Sequence, residues 1–150
     1  MLNDQKYMRE ALLEASEAAR CGEVPIGALI VREGKVIVAE RNRREEYSDP
    51  TAHAEILAIR QAGKILGGWR LSGCTLFVTL EPCPMCAGAM VQARLDRLVF
   101  GAKDPKGGAA GTLYNIVQDV RLNHRLIVTG GILEEECADE LQYFFRQKRE

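Results

Sequence analysis

The sequence predicts a three-layer α/β/α domain, with a five-stranded mixed sheet held between helices. Three observations carry that expectation. Residues 75–80 and 97–100 are apolar, strand-forming runs on either side of a helical segment, which makes a strand–helix–strand unit with parallel strands. Residues 26–31 and 36–39 flank the turn pair Glu33-Gly34 and read as a hairpin. Apolar residues recur at helical spacing near both ends of the chain.

Taken in order, Met8, Ala11, Leu12, Ala15 and Ala19 give the apolar face of an amphipathic helix over roughly residues 4–20, ended by Cys21-Gly22. Residues 26–31 are almost continuously apolar, as a buried strand is. Asp49-Pro50-Thr51 breaks the second strand's pattern and caps a helix carrying Ile56, Leu57 and Ile59. That helix is expected to fade near Gly63 or Gly67-Gly68. Thr75-Leu76-Phe77-Val78-Thr79-Leu80 is the clearest strand in the chain. Pro84 suits the first turn of the next helix, which runs to about Ala93. Gly107 to Gly111 is a loop, and Leu126-Ile127-Val128 is the fifth strand. Cys137, Leu141, Phe144 and Phe145 mark the apolar stripe of a final helix.

A chain of 150 residues, 47% hydrophobic and 27% charged, suits one globular domain spanning residues 1–150. A net charge of −1 gives no overall pull toward polyanions or anionic membranes. Any polyanion must then be held by a local patch, either Arg41, Arg43 and Arg44 or Arg146, Lys148 and Arg149; both groups otherwise read as solvated faces. The first residues lack the apolar core of a secretion signal, and no stretch approaches a membrane span. Five cysteines, an odd number, fit a reducing cytosol better than a disulfide framework. Cys21, Cys74 and Cys137 are expected as small buried hydrophobes, and His124 as an ordinary histidine.

The chemistry concentrates in His53-Ala54-Glu55 and Pro82-Cys83-Pro84-Met85-Cys86. One imidazole and two thiolates suit zinc, and three protein ligands leave a tetrahedral ion one open position for water. Cys83 and Cys86 lie at i and i+3 where a helix begins, so their sulfurs share one face of its first turn. The free N–H groups there favour thiolate. Glu55 is not needed as a ligand and is placed for proton transfer. Three other readings stand beside this one. Cys-x-x-Cys after a strand is also the layout of a redox pair, but redox chemistry has no use for His-x-Glu upstream. A structural zinc site would want a fourth ligand, for which the chain offers only His124 and scattered cysteines. A buried histidine with unrelated cysteines is the third. The agreement of ligands, base and helix-start context favours a catalytic metal.

His-x-Glu followed by Pro-Cys-x-x-Cys is the known signature of zinc nucleobase deaminases, so here it is a match to an established pattern. Segments along most of the chain extend the match. They are Val24 to Ala28, Asp49 to Glu55, Thr79 to Ala89, Phe100 to Asp104, the Gly107 to Gly111 loop, Asn123-His124-Arg125 and Phe144-Phe145-Arg146. Together they resemble the bacterial tRNA-specific adenosine deaminases, within the cytidine deaminase-like superfamily. The metal motif alone speaks only for a zinc deaminase; the later segments point to the tRNA branch.

The resemblance implies a cytidine deaminase-like fold and a cytoplasmic homodimer with one Zn2+ per subunit. It implies hydrolytic deamination of the wobble adenosine of a tRNA anticodon, usually an arginine tRNA, to inosine and ammonia. His53, Cys83 and Cys86 would hold zinc, which makes hydroxide available at neutral pH to attack C6 of adenine. Glu55 would shuttle protons. Among substrate contacts, Asn42 would hydrogen-bond the flipped nucleoside, with Pro25, Ile26, Ala54 and Leu80 at the base pocket. Without the resemblance, Asn42 reads as a strand-end turn residue, and Pro25 and Ile26 as core. Lys103 and Asp104 match a nucleic-acid-facing loop. Phe145 and Arg146, with Lys148 and Arg149, lie on the helix that meets the anticodon loop, though Phe145 also suits helix packing. Some relatives carry a longer basic tail, so tRNA affinity is expected to rest on fewer charges here. An unpaired loop lowers the cost of extruding the base.

A small-molecule deaminase acting on guanine, cytosine or a nucleoside shares the metal motif and remains the alternative. A zinc-bearing tRNA-binding subunit without catalysis is a third possibility, and intact Glu55 argues against it. Ala87, Gly88, Ala89, Met90 and Ala93 give the metal helix a small apolar surface, for a second subunit or for its own sheet.

Overall fold

The computed structural model describes residues 2–149, so Met1 and Glu150 lie outside it, as do the side chains of Leu2 and Arg149. The elements are α1 (Leu2–Arg20), β1 (Gly27–Arg32), β2 (Lys35–Arg41), α2 (Arg44–Tyr47), α3 (Ala54–Leu66), β3 (Cys74–Leu80), α4 (Pro84–Gln92), β4 (Arg97–Ala102), a 3-10 turn (Ile116–Gln118), β5 (Ile127–Thr129) and α5 (Glu134–Arg149). The five strands form one sheet in the order β2-β1-β3-β4-β5. β1 pairs antiparallel with both β2 and β3. β4 pairs parallel with β3 and with β5. The mixed sheet and the parallel β3–α4–β4 unit are as the sequence predicts.

The alternation of side chains along each strand builds two cores. Ala28, Ile30, Leu76, Val78, Leu98 and Phe100 face α3 and α4. Leu29, Val31, Phe77 and Val99 face the other way, onto Met8 and Ala11 of α1 and Cys137 of α5. Helices therefore cover both faces of the sheet. Glu33 and Gly34 both take positive φ, 51° and 74°, which the tight β1–β2 turn requires. Asp4 of α1 is buried and receives a two-pronged hydrogen bond from Arg97 of β4, at 2.9 and 2.7 Å. Thr129 of β5 accepts a further bond from the same guanidinium at 3.0 Å. That cluster ties the first helix to the two parallel strands.

Several expectations need correction. The N-cap of α3 is His53, not the 49–51 segment. Asp49 instead accepts from the backbone and hydroxyl of Thr51, a local turn that ends before the helix starts. Cys21 is exposed because it lies past Ala18, the last buried residue of α1. Cys74 and Cys137 are buried as expected. Phe145 is off the apolar stripe of α5: Phe144 is buried and Phe145 is 44% exposed, since neighbours on a helix point about 100° apart. Ala87, Met90 and Ala93 are buried within their own chain, which leaves only part of the surface foreseen on α4. The four-residue helix α2 has no apolar periodicity to announce it.

Candidate metal centre and active site

α3 and α4 begin at neighbouring points of the sheet. His53 is the N-cap of α3 and Cys83 the N-cap of α4, each with extended backbone. Pro84 occupies the first turn of α4, where its missing N–H costs nothing. Cys86 follows one turn in and is fully buried. His53 Nδ1 lies 3.7 Å from Cys83 Sγ and 3.4 Å from Cys86 Sγ. The three donor atoms all lie within 4.8 Å of one another. A tetrahedral ion with nitrogen at ~2.05 Å and sulfur at ~2.3 Å spaces these atoms ~3.6 Å apart. The two observed distances bracket that spacing, so the donor set fits a metal ion in both chemistry and reach.

The charges agree. A hydrogen bond from Cys86, with His53 close by, brings the Cys83 thiol down to about 4. The same contact, together with burial, pushes Cys86 up. The bond to Cys83 raises His53.

Glu55, in the first turn of α3, is buried at 3% exposure. Its Oε1 has no hydrogen-bond partner among the described residues. Burial pushes this carboxyl up to about 7. A buried carboxylate oxygen without a partner demands an explanation, and a polar ligand beside the three donors supplies one. Asn42 shows the same feature. It is 3% exposed, its Nδ2 donates to the Val24 carbonyl at 3.3 Å, and its Oδ1 is unpartnered. Its own N–H donates to the Ile26 carbonyl, so the 24–26 segment fixes it.

The other candidate residues divide between two places. Ala54 is fully buried and Ile26 packs against the core cluster that contains Ala54 and Cys86, with Cys83 alongside. Pro25 is buried next to it. Leu80, Lys103, Asp104, Phe145 and Arg146 line one open groove of about 710 Å³, with Val24 on its rim. His53, Glu55, Cys83 and Cys86 do not line that groove. The exposure of Phe145 is thus explained: the ring forms groove wall, not helix packing. Arg41 and Arg43 are engaged by Glu14, Glu40 and Glu46 and keep only 21% and 17% side-chain exposure, so they are half-buried ion-paired residues and not the solvated face expected of them. His124 bonds the Leu95 carbonyl at 2.7 Å, away from the donor cluster.

Two buried carboxylates carry no role legible in the sequence. Glu23 accepts from the backbone N–H groups of Glu45 and Glu46 at 3.0 and 2.8 Å, which fixes α2 beside Asn42. Glu81 binds the loop that walls the groove. Both occupy turn-like positions where an acidic residue is ordinarily solvated.

Fold and site together define a deaminase, and comparison agrees: the model of the MafB19-like deaminases matches residues 2–149. A tRNA-specific adenosine deaminase of Bacillus subtilis (strain 168) is 54% identical over 149 residues, 99% of this chain and 92% of that one. A solved structure from a study of A-to-I editing by tRNA:A34 deaminases is 47% identical with a TM-score of 0.88. That match covers 91% of this chain and 99% of the other. A guanine deaminase structure from Bacillus subtilis is 40% identical with a TM-score of 0.63, over 65% of this chain and 63% of its own. The chain belongs to the family of tRNA-specific adenosine deaminases.

Proposed function

We propose that this protein hydrolytically deaminates the wobble adenosine of a tRNA anticodon, an arginine tRNA first among candidates, giving inosine and ammonia. The observation that carries this is the unpartnered, buried oxygen of Glu55 beside the His53, Cys83 and Cys86 donors. The family supplies the nucleobase and the RNA. We read residues 1–150 as one deaminase domain, cytoplasmic in keeping with its free thiols. No helix among the described residues is long and apolar enough to cross a membrane.

His53, Cys83 and Cys86 would hold one zinc ion. When bound, zinc supplies Lewis-acid activation of water at neutral pH. Glu55 would take one proton of the attacking water and deliver it to N1 of adenine, then carry the second, from the new hydroxyl at C6, to the exocyclic amine, which leaves as ammonia as the C6 carbonyl forms. Burial raises this carboxyl above the ordinary carboxylate range, toward the pH at which a group both accepts and releases protons. Asn42 would bond the extruded nucleoside, a reading supported by its buried Oδ1, which has no partner among the described residues. Pro25, Ile26, Ala54 and Leu80 would exclude water around the base. Lys103, Asp104, Phe145 and Arg146 would receive the flanking loop nucleotides, stacking on the ring and pairing with phosphate.

The active form is proposed as a homodimer. Met85 on α4 and Leu113 and Tyr114 on the adjoining loop are exposed apolar side chains. Sedimentation at micromolar concentration should show the dimer, and a monomer would contradict it.

The test is a comparison of substrates. Purified protein should form inosine in an anticodon stem-loop and leave free guanine, cytosine and adenosine unchanged. Activity confined to the free compounds would favour the small-molecule alternative, to which the likeness to a guanine deaminase lends weight.

A further inference from the structure

Resting on the adenosine deaminase assignment above, we propose that Glu81 is a positioning residue that holds the groove-lining loop in register with the metal helix. β3 ends at Leu80 and Cys83 opens α4, so Glu81 stands between the sheet and the two thiols. Its side chain is buried at 2% exposure. No cationic side chain pairs with it among the described residues. Both of its oxygens are used on a single distant segment. Oε1 accepts from the N–H of Asp104 at 3.1 Å and from the Thr112 hydroxyl. Oε2 accepts from the N–H groups of Ala110 at 2.9 Å and Thr112 at 3.1 Å.

The loop is shaped around this carboxylate. A Cβ at Gly108 would come within 2.5 Å of the Glu81 carboxyl and 2.7 Å of the Asp104 carbonyl, so only glycine lets the chain wrap so closely. Ala109 donates to the Pro82 carbonyl at 2.8 Å, which fastens the same loop to the residue before Cys83. The segment has one isolated bridge, Ala110 to Asn115, and no strand or helix of its own through residue 115. Three of its N–H groups, those of Asp104, Ala110 and Thr112, have Glu81 as their acceptor in place of a ladder.

What this loop holds is the wall of the groove. Lys103, Asp104 and Lys106 line it, and Asp104 is tethered through its own N–H. With both oxygens committed to the loop, Glu81 has none left for the donor cluster. Its removal should therefore weaken RNA binding and spare the metal and the chemical step. An arrangement in which Glu81 served the metal centre would do the reverse.

Glu81→Gln keeps the size of the side chain but presents an amide donor to a ring of donors. Three measurements read the outcome: kcat and KM on an anticodon stem-loop, zinc content, and amide exchange across residues 104–112. We expect zinc content and kcat to stay near wild type. KM should rise roughly tenfold or more, the equivalent of one lost charge-assisted hydrogen bond. Exchange at Asp104, Ala110 and Thr112 should accelerate while β3 stays protected. Unchanged KM and exchange would overturn the proposal. So would a loss of kcat together with zinc. If Glu81→Gln fails to fold, Thr112→Val removes one donor and should raise KM about threefold; an unchanged KM would sink the proposal there. Should wild type form no inosine at all, the functional assignment falls, and the exchange comparison still decides whether Glu81 holds the loop.

Discussion

Nδ1 of His53 lies 3.4 Å from Sγ of Cys86, across 33 residues of sequence. Two helices from different parts of the chain are thus aimed at one point, and an imidazole with two sulfurs at this spacing fits a shared metal ligand set. Metal analysis of the purified protein should find one zinc ion per chain, and Cys86→Ser should leave it substoichiometric. Chelation should lower the thermal midpoint, because an ion held at ~1,000 times its Kd contributes about 4 kcal/mol to folding.

Glu55 makes a different prediction, because it lies beside the donors without joining them. Glu55→Gln should keep its zinc and lose deamination by roughly 10²–10⁴-fold in kcat. A variant that lost both together would make Glu55 a ligand rather than a proton carrier.

The Asp4–Arg97 pair predicts a stability effect far from the site. Asp4→Ala would leave the Arg97 guanidinium without its buried partner. Arg97 retains 29% side-chain exposure, so water can partly compensate. The expected loss is about 1–3 kcal/mol in urea unfolding, with activity per folded molecule unchanged.

Glu81 predicts a pH dependence. Burial alone would raise this carboxyl, but the bonds from Thr112, Asp104 and Ala110 outweigh it and hold it below its ordinary value of 4.5. A depressed folded pKa contributes stability above the unfolded value and loses it as pH falls through the folded one. Wild type should therefore exceed Glu81→Gln in unfolding free energy at pH 7, with the gap closing below about pH 4.5. A gap independent of pH would mean that the charge does not matter.

The two ends of the site differ in how far the sequence discloses them. The strands and the two helix starts are legible because their signals are local: alternation in Thr75 to Leu80, proline at position 84, ligand types at fixed spacing. The antiparallel β1–β2 hairpin and the parallel β3–β4 pair follow from connection length, whereas the β1–β3 and β4–β5 neighbours are set by the folded sheet. Glu23 and Glu81 escape because their partners are backbone N–H groups more than twenty residues away, a contact with no residue-type signature. Phe145 escapes for a different reason. Adjacent phenylalanines on a helix cannot both face the core, and the pattern does not say which one turns toward the groove. The groove itself is built from β3, the 102–106 loop and α5, which only the folded chain brings together.

The most direct test uses an anticodon stem-loop whose only adenosine is at the wobble position. Incubation with the zinc-loaded protein should convert that residue to inosine, a one-dalton mass gain per RNA, with one equivalent of ammonia released. An RNA mass that stays unchanged under conditions where free guanine is consumed would contradict the account.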